Sequence, residues 1–560
     1  MNMIQNAKDQ VLDLTVAAYG KAAAQGLLPE DVAVTPSVEI PKDTANGDYT
    51  TTFCLAAAKA LKKNPRQVAQ ILMDHMDLAG SYFTSVEMAG PGFLNFRLGD
   101  KWFRDTVACV EREGADYGCN DTLKGQKIMV EFVSANPTGP MHMGNARGGV
   151  LGDTLASVLQ KSGANVWREF YVNDAGNQIV MLGESLTARY FEHFGKEYPL
   201  PEGGYHADDI KGIAAQLAEE EGDKWLTADP KERLAHFMDY GKKKELEKID
   251  RDLKAYRVTM QSWMHETFFY ENNAKRINDC LQHMADMGLT YEKDGALWLR
   301  NTDLGADKDE VLRRSNGFYT YYAVDIAYHR NKFIERGFDR VIDVWGADHH
   351  SYVTRMQNAL TALGYPEGTL SVDLIQMVRM VEDGKEVKMS KRTGNAITIR
   401  ELCEDIGVDA ARWFFVSKDV ATHMDLDLKL ARSKDNNNPV YYAQYAYSRM
   451  CSILKNPQIP EFKPVDSYDR LTDEKELQLL KMISEFPKEV AADALNRKPN
   501  KMTEYIISLV KVFHSYYNST KVNNPDDPEL TNQRLGLIKA TMITLKNALQ
   551  LIGVSAPETM

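Results

Sequence analysis

Lys127-Ile128-Met129-Val130-Glu131-Phe132-Val133-Ser134-Ala135-Asn136-Pro137-Thr138-Gly139-Pro140-Met141-His142-Met143-Gly144-Asn145 decides the fold of this 560-residue chain. Residues 127–132 form a short, mostly apolar run and read as a buried strand. Pro137, Gly139 and Pro140 break it into a loop. A helix is predicted from about Gly144 to Ser162, closed by Gly163, which suits a left-handed C-terminal cap. Asn165-Val166-Trp167-Arg168-Glu169-Phe170-Tyr171-Val172 reads as the next strand. Strand, helix and strand in that order build a parallel sheet. A loop that leaves such a strand and opens a helix is an anion site, because free N–H groups and the helix dipole face the ligand. Gly139 and Gly144 let backbone approach a nucleotide without a Cβ in the way. His142 can donate to a phosphate oxygen, and Asn145 offers an amide donor beside it. Together they suit an α-phosphate under attack, where charge moves onto its oxygens. An ordinary connecting loop could carry the same His-x-Gly-Asn tetrapeptide. The flanking Asn-Pro-Thr-Gly-Pro and the placement between strand and helix favour the anion site.

Far downstream, Met380-Val381-Glu382-Asp383-Gly384-Lys385-Glu386-Val387 predicts a hairpin with an Asp-Gly turn. It delivers Lys388-Met389-Ser390-Lys391-Arg392, three cations in five residues. Lysines are compact charges that can follow a departing pyrophosphate. The plainer alternative is a solvated charged loop. Paired with the upstream motif, the phosphate reading is preferred.

The bulk properties set limits. A chain of this length exceeds one core and predicts about three domains. Its 44% hydrophobic and 26% charged residues are ordinary for a globular protein. No apolar run is long enough for a membrane span, and the N-terminus lacks a signal pattern, so a cytoplasmic protein is expected. Six scattered cysteines without a CxxC pair argue against a zinc knuckle, and no structural metal is expected. The net charge of −12 argues against non-specific nucleic-acid binding. The two ends are less acidic than the centre, so a polyanion is better placed there.

Three domains are expected. Residues 1–110 read as a small α+β domain. Helices are predicted over Cys54–Leu61 and Pro65–Met76, and a strand over Phe93–Leu98. Residues 111–430 read as a Rossmann-type parallel-sheet domain interrupted by a charged helical insertion at about 183–290. Residues 431–560 read as an all-α bundle, with Leu535, Ile538, Met542, Leu545, Leu549 and Ile552 as a packed stripe. The fold class is thus multidomain α/β.

His142-Met143-Gly144-Asn145 and Lys388-Met389-Ser390-Lys391-Arg392 resemble the HIGH and KMSKS motifs of the class I aminoacyl-tRNA synthetases, and within that class the chain resembles the arginyl family. The resemblance spans the chain. Ile40-Pro41-Lys42 and Asn46-Gly47-Asp48-Tyr49 look like that family's tRNA-contacting N-terminal domain. Asn437-Asn438-Pro439-Val440-Tyr441-Tyr442-Ala443-Gln444-Tyr445-Ala446 looks like the start of its anticodon-binding domain. The closing residues 551–560 are similar to its C-terminus. Two departures stand out. Asn145 replaces the second histidine of HIGH, and Arg392 the last serine of KMSKS.

The resemblance implies an arginine–tRNA ligase using arginine, ATP with Mg²⁺, and tRNA(Arg). A monomer is expected. His142, Asn145, Lys388 and Lys391 are implied to be catalytic. Pro137, Thr138, Gly139, His142, Gly144, Asn145, Gly346, Asp348, His349, Met389, Ser390 and Lys391 would bind ATP. For arginine, the implied residues are Glu131, Ser134, Asn136, Glu266, Tyr321 and Asp325. Tyr321 and Asp325 lie at i, i+4 on one helical face, and a carboxylate can meet a planar guanidinium bidentately. Tyr441, Tyr442, Tyr445 and Tyr447 could stack anticodon bases, with aromatic core as the plainer reading of each. The rivals are a ligase for another amino acid such as cysteine, disfavoured without a Cys/His zinc cluster, and a non-catalytic RNA-binding relative, disfavoured by the intact motifs.

Overall fold

The computed structural model describes residues 3–30, 37–41, 43–205, 208–387 and 397–560. At its centre is a five-stranded sheet in which every neighbouring pair is parallel. The strands run in the order Leu370–Ile375, Arg340–Gly346, Lys127–Glu131, Asn165–Val172, Ser262–His265. The first strand in sequence is therefore the middle one. The chain builds outward on one side, then crosses to the other. That reversal of strand order opens a crevice at the C-terminal ends of the strands, where ligands of open α/β sheets bind.

The helix Met143–Lys161 covers this sheet. It lies close because Gly152 has no side chain: a Cβ there would stand 2.3 Å from the Phe132 ring. Gly163, at φ +93°, ends the turn into the next strand, as predicted. The charged stretch 183–290, expected to be a mostly helical insertion, also holds a strand of the sheet. Helices Asn177–His193, Asp208–Glu221 and Pro230–Ala255 fill its first part, but Ser262–His265 returns to the sheet as its edge strand. Four residues proved too short a run to stand out among helical neighbours.

Among the described residues the N-terminal unit has a four-stranded antiparallel sheet and the helices Met3–Ala24, Phe53–Leu61 and Pro65–His75, and Phe93–Leu98 is one of its inner strands. Its helix Pro65–His75 starts where proline requires. Asn64 caps it by accepting from the Arg66 N–H at 2.9 Å. Beyond the sheet, Val378–Glu382 pairs antiparallel with Lys385–Glu386 and parallel with Met424–Asp427. Asp383 and Gly384 both have positive φ, the conformation of a two-residue hairpin turn. The chain then becomes helical, with Pro439–Leu454, Glu474–Asn496, Asn500–Ser519 and Pro528–Leu551. Leu535, Ile538, Leu545, Leu549 and Ile552 are buried between them. The fold class is as predicted: a parallel-sheet catalytic domain, a small N-terminal domain and a helical C-terminal region.

Candidate active site

A cleft of about 670 Å³ lies at the crevice, lined by residues 133–136 and 138–142, and by Asn145, Asn173, Asp348 and His349. The loop after the middle strand thus meets the ends of both neighbouring strands, in a volume suited to a nucleotide-sized ligand. Val133 and Ser134 turn this loop with φ of +71° and +42°. A β-branched residue rarely adopts that conformation, and such strain concentrates at functional sites. Ser134 helps hold it: its Oγ donates to Glu131 Oε1 at 3.1 Å and accepts from the Tyr171 N–H at 3.1 Å.

His142 caps the motif helix from extended backbone. Asn145 Oδ1 accepts from the His142 N–H at 3.1 Å, which leaves the Asn145 Nδ2 donor for the cleft. A Cβ on Gly144 would just touch the His142 ring, at 3.4 Å, so the imidazole lies over this glycine at the helix end. A Cβ on Gly139 would meet open space. At Gly346 a Cβ would lie 2.5 Å from Asp348 Oδ1, the tip of an exposed side chain that can move aside. Asp348 and His349 are exposed at the mouth and face each other at 3.1 Å.

Lys388, Met389, Ser390 and Lys391 lie outside the described residues. The described segment downstream of them does reach the first motif. Thr398 forms a β-bridge with His142, and the Ile399 N–H donates to Met141 O at 3.1 Å.

A second part of the site lies under the sheet ends. The helix Tyr321–Ile334 carries buried Tyr328, His329 and Lys332, with Arg336 just beyond its end. This stripe grips one carboxylate from each of three adjacent strands. Lys332 Nζ donates to Glu131 Oε2 at 2.6 Å and Asp343 Oδ1 at 3.1 Å. The Tyr328 hydroxyl lies 2.7 Å from Glu131 Oε2 and 2.6 Å from Glu169 Oε1. His329 Nε2 faces Asp343 Oδ2 at 2.7 Å, and Arg336 forks onto Glu169. Burial raises the Glu131 carboxyl even beside Lys332. Burial also acts against Asp343, but Lys332 and His329 outweigh it and hold that carboxyl low. Sequence reading named Glu131 and missed its partners, because His329 and Lys332 stand beside Arg330 and Asn331 in a run that reads as solvated.

Asp325 sits on the same helix, bonded by the Tyr352 hydroxyl, and burial raises its carboxyl. Glu266 faces it from the start of the helix Thr267–Asp286 and is 2% exposed. Among the described residues its carboxylate has no hydrogen-bond or ion-pair partner. Burial, then Asp325 and Asp174, push it up to about 8. Asp174 fixes this corner. It accepts from His265 Nδ1 at 2.8 Å, from the Thr267 N–H at 3.0 Å and from Lys242 Nζ at 3.2 Å. Burial would raise Asp174, but these donors bring it down to about 2. A buried and a half-buried carboxylate that act on one another suit a guanidinium. Tyr321 is exposed at the rim, so the i, i+4 pair divides: Asp325 points into the fold and Tyr321 to its surface.

On the helical unit, Tyr441 and Tyr445 lie parallel with centroids 6.3 Å apart, and His514 stands against Tyr445. The Arg449 guanidinium covers Tyr517 at 4.5 Å. Tyr441, Tyr442 and Tyr445 are half-buried, while Tyr447 belongs to the core. Among the described residues no group of three or more His, Cys, Asp and Glu is placed to hold a metal ion, and no helix is long and apolar enough to cross a membrane.

A parallel sheet with a His-x-Gly-Asn helix at its switch point and a basic motif beyond the last strand defines a class I tRNA synthetase. The family model described as "tRNA synthetases class I (R), catalytic domain" matches residues 110–427. "Arginyl tRNA synthetase N terminal domain" matches 13–98, and "DALR anticodon binding domain" matches 443–560. The chain belongs to the arginine–tRNA ligase family: it is 47% identical to the arginine–tRNA ligase of Bacillus subtilis over 562 residues, all of both chains. It is likewise 47% identical to that of Bacillus velezensis over the full length of both. The solved arginyl-tRNA synthetase of Thermus thermophilus shares the fold, with a TM-score of 0.67 at 22% identity over 99% of this chain and all of that one. The resemblance read from the sequence is to this same family.

Proposed function

We propose that the cleft activates arginine. ATP lies along the strand ends, and the arginine carboxylate attacks the α-phosphate in line, forming arginyl-adenylate and releasing pyrophosphate. The 3′ ribose hydroxyl of tRNA(Arg) then takes the arginyl group and AMP leaves. The observation that carries the amino-acid assignment is the Glu266–Asp325 pair: a buried and a half-buried carboxylate close enough for the charge of Asp325 to act on Glu266, with Glu266 unpaired among the described residues. A planar, permanently charged guanidinium satisfies both.

His142 and Asn145 stabilise charge on the α-phosphate, with the backbone of Pro137, Thr138, Gly139 and Gly144 around the nucleotide. Gly346, Asp348 and His349 take the ribose and adenine. Lys388, Met389, Ser390 and Lys391 attend the departing pyrophosphate. Mg²⁺ enters with ATP as part of the substrate. Ser134 and Asn136 meet the arginine main-chain groups, with Glu131 oriented beneath them. The aromatic face at Tyr441, Tyr445, Arg449 and Tyr517 stacks unpaired tRNA bases. The protein works in the cytoplasm as a monomer, with domains at 1–110, 111–430 and 431–560.

Arginine-dependent exchange between ATP and pyrophosphate, run with and without tRNA(Arg), tests this. Exchange that responds to arginine alone among the amino acids is expected. Exchange with a different amino acid, or none even with tRNA, rejects it.

A further inference from the structure

Arg147 lies in the second turn of the helix that His142 opens, and it is fully buried. Among the described residues it forms no ion pair. Its guanidinium instead donates to three main-chain oxygens: Nη1 to Gln376 O at 2.7 Å and Thr422 O at 3.0 Å, and Nη2 to Asp419 O at 2.9 Å. Burial without a paired carboxylate pulls it down to about 10.

Those carbonyls root two parallel strands. Gln376 precedes Val378–Glu382, while Asp419 and Thr422 precede Met424–Asp427. The first strand runs through its hairpin to Val387. Downstream of that hairpin, Thr398 bridges His142. The His142 helix thus holds this unit at its root through Arg147, and again at Thr398. Asp419 also faces the other way: its carboxylate pairs with Lys498, just beyond the helix Glu474–Asn496. Arg497, next to it, pairs with Asp373 on the edge strand of the parallel sheet, Nε to Oδ1 at 3.2 Å.

We propose that Arg147 is a positioning residue for the phosphate half of ATP, setting the Val378–Glu386 hairpin against His142, and that Lys498 extends this strap to the helical domain through Asp419. This rests on reading the cleft as an ATP site. A planar fork fixes carbonyls from two loops at once, whereas a lysine holds a point. Small misplacements of groups around a reacting centre cost on the order of 10²-fold in rate. The Glu266–Asp325 pair hangs on other elements, so arginine binding does not depend on the strap.

The test measures ATP–pyrophosphate exchange by the full chain at saturating tRNA(Arg), for Arg147→Lys, Lys498→Met and the double variant. Arg147→Lys raises the KM for ATP about tenfold or more, with the KM for arginine within about twofold. Lys498→Met, at a partly exposed pair, raises the KM for ATP about threefold. The double variant matches Arg147→Lys, because both act through one strap. An unchanged KM for ATP, a parallel rise in both KM values, or effects that multiply in the double variant overturns the proposal. If the melting curve shows Arg147→Lys unfolded, Lys498→Met decides: an ATP-specific rise supports the strap and its absence overturns it. Failure of the underlying reading is separately visible, as no arginine-dependent exchange by the unaltered chain, and overturns both.

Discussion

Among the described residues Glu266 has no partner, and its carboxyl is pushed up to about 8, so at neutral pH without a counter-charge it is mostly protonated. A guanidinium favours the ionised form, and arginine binding therefore expels that proton. Below pH 8 the affinity for arginine is expected to fall as pH falls, by up to about tenfold per unit, and to level off above it. Plotting kcat/KM for arginine against pH checks the slope. Glu266→Gln should flatten it and weaken arginine binding by about 2–4 kcal/mol, since a charged partner is lost from a buried site. The groups facing Glu266 are Asp325, Asp174, Tyr171 and Tyr270. None is a cation, so the substrate is the natural counter-charge.

The helix Tyr321–Ile334 shows how one element serves both fold and site. Its apolar positions join the core, while Tyr328 and Lys332 bind carboxylates from the sheet. Lys332→Met would leave Glu131 and Asp343 buried with one fewer cation. A loss of about 3–5 kcal/mol is expected in denaturant unfolding. The motif helix is packed by a smaller device. Gly152→Ala would drive a Cβ into the Phe132 ring. Unfolding should show about 1–3 kcal/mol of destabilisation, with reduced exchange activity as His142 is displaced.

Across the whole molecule, the C-terminal segment locks the helical unit onto the sheet domain. Arg412 is fully buried and ties three parts together: its Nε donates to Ile552 O at 2.9 Å, Nη1 to Tyr256 O at 3.0 Å and Nη2 to Asp153 Oδ2 at 2.6 Å. Gly553 lies against that guanidinium at φ +68°, where a Cβ would come within 2.2 Å. Gly553→Ala combines backbone strain with this clash and should cost about 2 kcal/mol or more, read as a lowered Tm. Tyr445→Ala belongs to the same scale. It should weaken tRNA binding by about 1–3 kcal/mol, with exchange at saturating tRNA unchanged.

The elements around 127–172 were legible in sequence because each depends on local rules: an apolar run for the strand, proline and glycine for the loop, Gly163 for the cap. The hairpin at Asp383-Gly384 and the stripe from Leu535 to Ile552 were legible for the same reason. Glu266 and Asp325 were assigned to one site by resemblance alone; their residues do not show it, since their proximity depends on the helices Thr267–Asp286 and Tyr321–Ile334 packing together. The strand Ser262–His265 was hidden because four residues gain strand character only by pairing with Asn165–Val172. Arg147 and Lys332 stayed invisible for a related reason. A lone basic residue in a helix reads as solvated, and only packing shows that its partners are carbonyls and carboxylates from distant segments. Local periodicity and motif chemistry thus determined the fold class and the kind of reaction. The tertiary structure alone decided which charges are buried together, because burial and pairing depend on distance in space rather than along the chain.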